Sequence, residues 1–248
     1  MILVVGATGV VGNAVVQRLR QSGKQVRAFV RDGPNRAKRE ALEQAGASLA
    51  TGDVKDRATV HAACEGMSFS GNVSGAFPLH EAKRAVERRL QDSVLTFTIV
   101  RPSFFMEVWL SPHAGFDPVG GQVRIYGRGD APVSMISAMD VAAYVAACVD
   151  NPAVHSQVIE LGGPDAVSPN AVVGLFEKAL GKSIARTQVP EAALEQQLAT
   201  AQDPLQKTLA GLALCVARGD TIDNRPALEK APVTLTAVGT FVDRRVRI

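Results

Sequence analysis

The sequence predicts an α/β protein built on a doubly wound parallel sheet, with a smaller helix-rich lobe in its C-terminal half. Three observations predict this. The chain opens on ILVV (Ile2 to Val5), a continuous apolar run of the kind found in parallel strands covered on both faces. Directly behind it stands GATGVVG, residues 6–12, with three glycines spaced three apart. From there to about Gly66, strand-length apolar runs alternate with helix-period segments through short connections, which is the pattern of successive βαβ units.

Each element follows in order. VVGNAVVQRLRQSG places Val10, Val11, Ala14, Val15 and Leu19 at helical spacing, and Gly23 stops that helix. QVRAFVR is a second strand, NRAKREALEQAG a second helix ending at Gly46, and ASLATGD a third strand. DRATVHAACEG reads as a third helix capped by Asp56. LTFTIVRPSFFMEVWL contains an apolar strand that ends at Arg101 and Pro102, because proline has no N–H for the ladder. Beyond it, GGQVRIYGRGD is hairpin-like, SMIS a strand, and the next helix carries Asp140 in its first turn. QVIELGGP is a short strand. SPNAVVGLFEKALGK is a helix with Ser168 as cap and Pro169 at its first position. PEAALEQQLATA and PLQKTLAGLALCVARG are further helices.

Composition excludes several function classes. Of 248 residues 46% are hydrophobic, yet no apolar run approaches membrane-spanning length. The N-terminus has no basic lead of a signal peptide, and the expectation is a cytoplasmic protein that does not enter a membrane. Cys64, Cys148 and Cys215 lack metal or redox spacing and read as buried structural thiols. A net charge of +3, from 27 basic and 24 acidic residues, with only 5% aromatics, argues against a nucleic-acid partner. No His/Cys/Asp/Glu cluster has metal-ligand spacing and no G-x-S-x-G elbow is present.

The glycines carry the clearest chemistry. A strand–turn–helix with glycines at these offsets is a dinucleotide-binding arrangement. Gly6 permits the tight turn, Gly9 keeps bulk away from an approaching phosphate, and Gly12 lets the helix pack closely on the strand. Ala7, Thr8, Val10 and Val11 complete the loop, whose backbone amides and helix N-terminus face a pyrophosphate. The second strand ends FVRD. Arg31 there suits the 2′-phosphate of NADP and can stack on adenine; Arg36 and Lys38 or Arg39 add charge. The alternative is that Asp32 binds the ribose hydroxyl of NAD. The balance favours NADPH over NADH. In GDVKD, Asp53 and Val54 fall beside the expected adenine.

The G-x-x-G-x-x-G spacing resembles the extended and atypical short-chain dehydrogenases/reductases. With FVRD, GDVKD, PLHEAKRAVERRL, TFTIVRPSFFME and ISAMDVAAYVA in this order, the chain resembles the NmrA-like family of that group. The resemblance runs from Met1 to about Gly66 and from about Pro78 to the end. It implies a Rossmann-type core over residues 1–110 with an apparent gap near 67–78, a sheet completed by about 133–163, and a smaller substrate or partner lobe formed by 111–132 and 164–248. It also implies a fourth strand, its helix and a fifth strand between CEGM and PLHEAK. Only SFSGNVSGAF stands there, too short for one crossover, so the chain is about forty residues short of the family pattern. A missing central strand leaves an edge of the first strand free.

Classical members of the superfamily use a Tyr-x-x-x-Lys pair on one helix face. Here Lys83 matches the lysine and Leu79 takes the tyrosine's place. Lys83 is therefore the candidate for the ribose contact and for proton transfer. His80, one residue off that face, reads as a surface histidine. Ser70 or Ser74 stands near the superfamily's serine. Pro102 and Phe104 are assigned to the cofactor, and Phe105, Met106 and Trp109 to the substrate, beyond a strand's C-terminal end. The family includes NAD(P)H-dependent reductases, quinone reductase-like enzymes and non-catalytic NADP(H) sensors. The expected function is reduction of a small apolar carbonyl, quinone or enone. The alternatives are a sensor that binds a regulatory protein and a sugar-nucleotide epimerase.

Overall fold

A computed structural model describes residues 1–31, 33, 36–53 and 77–247. Three strands, β1 (Ile2–Val5), β2 (Val26–Val30) and β3 (Ser48–Thr51), pair in parallel in that order, with Val4 opposite Ala28 and Ala28 opposite Leu49. Helices α1 (Val10–Gln21) and α2 (Arg36–Gln44) connect them. One face buries Val4, Ala28 and Val30 against Ala14, Val15 and Leu19 of α1, with Leu42 of α2 in the same cluster. Leu3 and Phe29 pack on the opposite face. Burial on both faces is why β1 reads as a continuous apolar run.

A second parallel pair joins β4 (Thr98–Pro102) to β7 (Gln157–Leu161), with Pro102 as the last paired residue. Among the described residues, β1 pairs with β2 alone and β4 with β7 alone. The two sheets are tied by α5 (Ala138–Cys148), which packs along α1 and touches β4. Tyr144 of α5 is wholly buried and donates its hydroxyl to the Ala227 carbonyl at 2.8 Å, so burial pushes its pKa up. Ala227 lies on the short helix α9 (Arg225–Lys230).

SMIS is not a strand. It is extended, but its bonds go to different neighbours, so no ladder propagates. Ser134 N–H donates to Asp220, Ile136 N–H to Phe104, and Gly163 N–H to the Ser134 carbonyl. The segment is a hub between the strand ends and the C-terminal lobe.

That lobe contains a hairpin displaced from the expected GGQVRIYGRGD: β6 (Gln122–Tyr126) pairs back with β5 (Phe116–Asp117), which precedes that stretch; a strand the sequence did not announce, β8 (Ala185–Val189), runs parallel to β6. Its sequence ARTQV is largely exposed and has no apolar alternation to read. Helix α6 (Pro169–Leu180) starts as expected, with Ser168 Oγ accepting from Ala171 N–H at 3.2 Å. Helices α7 (Glu191–Thr200) and α8 (Pro204–Arg218) form a hairpin held by Arg218, which pairs with Glu191 and Glu195. A last helix, α10 (Val238–Val246), packs on α6. Its approach is fixed by Asp140, whose carboxylate accepts from Thr236 N–H and from the Thr236 hydroxyl at 3.0 Å.

Cys148 and Cys215 are half-buried rather than buried, and burial raises both thiol pKa values. No helix among the described residues is long and apolar enough to cross a membrane. The expected third helix, with Asp56 and Cys64, lies outside the described residues, as do Asp32, Val54, Ser70 and Ser74.

Candidate active site

The glycine turn has the backbone its sequence demands. Gly6 sits at φ +73°, in the left-handed region that favours glycine. Gly9 N–H donates to the Gly6 carbonyl and Asn13 N–H to the Gly9 carbonyl, both at 2.9 Å, closing the turn and opening α1. A Cβ on Gly12 would lie 2.2 Å from the Gly6 carbonyl oxygen, so no larger residue fits without moving backbone. One on Gly9 would lie 3.2 Å from the same oxygen. No side chain caps α1, which leaves its first N–H groups for an anion. Ala7 is wholly buried under the turn, while Val10 is exposed on it.

The basic residues around the turn divide their roles. Arg31 is exposed just past β2. Arg36 is taken up by Glu40 at 2.7 Å. Lys38 leans over the glycine turn and donates to the Thr8 carbonyl at 3.1 Å. Arg39 donates to the Thr51 hydroxyl at 3.3 Å. Asp53 is exposed past the end of β3.

A cavity of about 500 Å³ opens at the C-terminal end of β4. One wall is α3 (Pro78–Gln91), which presents Leu79 and Lys83 to it, one helical turn apart. A second is the run from Arg101 to Phe105, continued by Trp109 of the short helix α4 (Met106–Trp109). The third is α8 and the residues after it, including Asp220. The aromatic wall is ordered edge-to-face: Phe104 meets Trp109 with ring centres 5.0 Å apart, and Trp109 meets Tyr126 at 6.1 Å. Pro102, Phe104, Phe105 and Trp109 all line this cavity.

Two residues do not. Met106, assigned to the substrate, is wholly buried in the lobe's core and absent from the cavity wall. Helix α4 turns it inward, while Trp109 remains at the cavity. His80 is not on the surface: it is 3% exposed, packed against Phe77, and its Nε2 accepts from Arg84 Nε at 2.7 Å. Burial and the Arg84 charge lower its pKa and keep it neutral.

Burial also lowers the pKa of Lys83, and the charge of Glu87 opposes that. Glu87 is itself 5% exposed and accepts from Arg101 at 2.9 Å; Arg101 also approaches Glu160 of β7 at 3.6 Å. Across the cavity, Ser103 Oγ donates to Asp220 Oδ2 at 2.9 Å. Sequence reasoning missed Glu87, Arg101, Ser103 and Asp220. Glu87 had a usable signal, since it lies four residues past Lys83 on the same helix. Asp220 had none, because only the tertiary fold brings it to β4.

The turn and the cavity share a foundation. Val11 of the glycine turn and Phe105 of the cavity wall pack against one buried cluster that includes Val100, Ile136 and Val141. The NmrA-like family matches residues 1–70 and 68–233. The chain belongs to the NmrA-like family. The match comes in two stretches that meet at residues 68–70.

Among relatives, this NmrA-like chain is 27% identical to the isoflavone reductase homolog IRL of Zea mays over 84% of each chain. It is 27% identical to an NAD(P)H azoreductase of Xenophilus azovorans, over 74% of this chain and 75% of that one. Its fold matches an NADPH-dependent quinone oxidoreductase from Escherichia coli solved with NADPH, with a TM-score of 0.81 at 20% identity, covering 99% of each chain.

Proposed function

We propose that the protein is an NADPH-dependent reductase of a small, largely apolar carbonyl, quinone or enone. The observation that carries this reading is the joining of a phosphate-accepting glycine turn to a cavity walled by Lys83 and aromatic rings, through the cluster that seats Val11 and Phe105. Membership in the NmrA-like family and relatives named as reductases support it.

The residues fit a dinucleotide. The bare backbone at Gly6, Gly9 and Gly12 leaves room for a pyrophosphate, and the uncapped N-terminus of α1 offers it amides and a partial positive charge. Arg31, exposed past β2, and Lys38, bonded to the Thr8 carbonyl of the turn, are the cations we assign to an adenosine 2′-phosphate. We assign Asp53, exposed past β3, to the adenine. The bound cofactor supplies the hydride. Phe104, Phe105 and Trp109 exclude water from the acceptor and hold a flat apolar molecule. Lys83 holds a proton at Nζ for the oxygen of the acceptor, a task that Leu79 cannot perform.

The test is NADPH oxidation by the purified protein with a panel of quinones, enones and azo compounds. Turnover with at least one class supports the reading. Tight NADPH binding with no turnover on any acceptor would shift it to a non-catalytic sensor, towards which Leu79 points.

A further inference from the structure

We propose that Glu87 is a positioning residue that keeps Lys83 in its ammonium form at the cavity wall. The inference rests on the reductase reading for its purpose, but its test does not. Glu87 lies one turn beyond Lys83 on α3, and its carboxylate is withdrawn from water behind the cavity. A buried carboxylate on an otherwise polar helix is costly unless paired. Here Arg101 of β4 takes one oxygen at 2.9 Å and in turn approaches Glu160 of β7 at 3.6 Å. The result is a row of alternating charge, Lys83, Glu87, Arg101, Glu160, across two strands and a helix.

The row answers a problem posed by Leu79. Where a tyrosine would give up the proton, this cavity has a methyl-tipped side chain, and Lys83 is the remaining proton-bearing group on that face of α3. Apolar walls favour the neutral amine, which has no proton to give at Nζ beyond those of a weak donor. Glu87 favours the ammonium. Among the described residues, the charged or titratable groups that line the cavity beside this row are already engaged. Arg218 of α8 is held by Glu191 and Glu195, Asp220 accepts from Ser103, and burial keeps the Cys215 thiol protonated. His80 and Arg84 of α3 bond each other. In turnover, the Lys83 N–H bond breaks as an O–H bond forms on the acceptor oxygen whose carbon has received hydride. Lys83 is left neutral and regains its proton from solvent.

The experiment reads Lys83 directly, without cofactor or substrate. The protein is pulse-labelled with acetic anhydride across a pH series, and Lys83 acetylation is quantified by peptide mass spectrometry, with Lys178 and Lys182 as internal references. Only the neutral amine reacts. In Glu87→Gln the Lys83 midpoint moves to lower pH, and its labelling rate below the midpoint rises about threefold to tenfold. Glu87→Asp, which keeps the charge, returns the midpoint towards that of the parent. A folded Glu87→Gln with an unmoved Lys83 midpoint overturns the proposal. If Glu87→Gln fails to fold, Arg101→Gln decides: removing that cation while keeping Glu87 moves the midpoint up, and an unmoved or lowered midpoint overturns the proposal. A shifted midpoint in a protein that oxidises no NADPH sinks the reductase reading and leaves the coupling standing.

Discussion

The glycine turn and the Lys83 cavity are built by opposite means. The turn is a backbone site: three glycines within seven residues set one carbonyl and a row of amides, and a single added Cβ at Gly12 would collide with it. The cavity is a side-chain site, assembled from α3, the end of β4 and, more than a hundred residues further along the chain, α8 and the residues after it. A backbone site tolerates almost no substitution at its glycines. A side-chain site loses chemistry before it loses structure.

The largest effect should come from breaking the turn. Gly12→Val should destabilise the protein by about 3 kcal/mol or more, or prevent folding, because the clash is with backbone and not with a movable side chain. Thermal unfolding checks this; a melting temperature equal to the parent's would remove the close packing from the account. Lys83→Met should do the reverse, sparing the melting temperature and lowering turnover by about 10²–10⁴-fold. Retained turnover would return Lys83 to the surface. Between the two sites, Arg31→Ala should weaken NADPH binding by about tenfold to a hundredfold and leave NADH binding unchanged. Equal losses for both would refute a 2′-phosphate contact. The smallest effect is at His80. Its native pKa lies below the ordinary 6.5, so the unfolded chain takes up a proton that the native one resists. The stability it contributes is present above pH 6.5 and is lost as pH falls below it. Melting temperatures of the parent and His80→Gln, compared from about pH 5 to 8, should converge on the acid side, with a slope difference of at most about 1.4 kcal/mol per pH unit. Parallel curves would leave His80 without a titrating role.

The same contrast explains what could be read in advance. β1, β2, α1 and the turn follow from local patterns: continuous apolar runs, helical spacing and glycines where backbone must pass close. The helix cap at Ser168 follows from a side chain that bonds an amide three residues away. β8 was invisible because its residues are exposed and its pairing with β6 is set by distant chain. His80 was misjudged because the sequence shows only that it lies off the Lys83 face, not that Phe77 and Arg84 would enclose the face it does occupy. Met106 and Trp109 sit three residues apart, and only the tight turn of α4 shows which of them meets the cavity.

The central claim is that the glycine turn and the cavity form one NADPH site. Trp109 is the chain's single tryptophan and lies on the cavity wall, so its fluorescence reports occupancy there. The measurement is a titration of the protein with NADPH and, separately, with NADH. The account predicts saturable quenching by NADPH at concentrations well below those needed for NADH. Quenching by neither dinucleotide would contradict it.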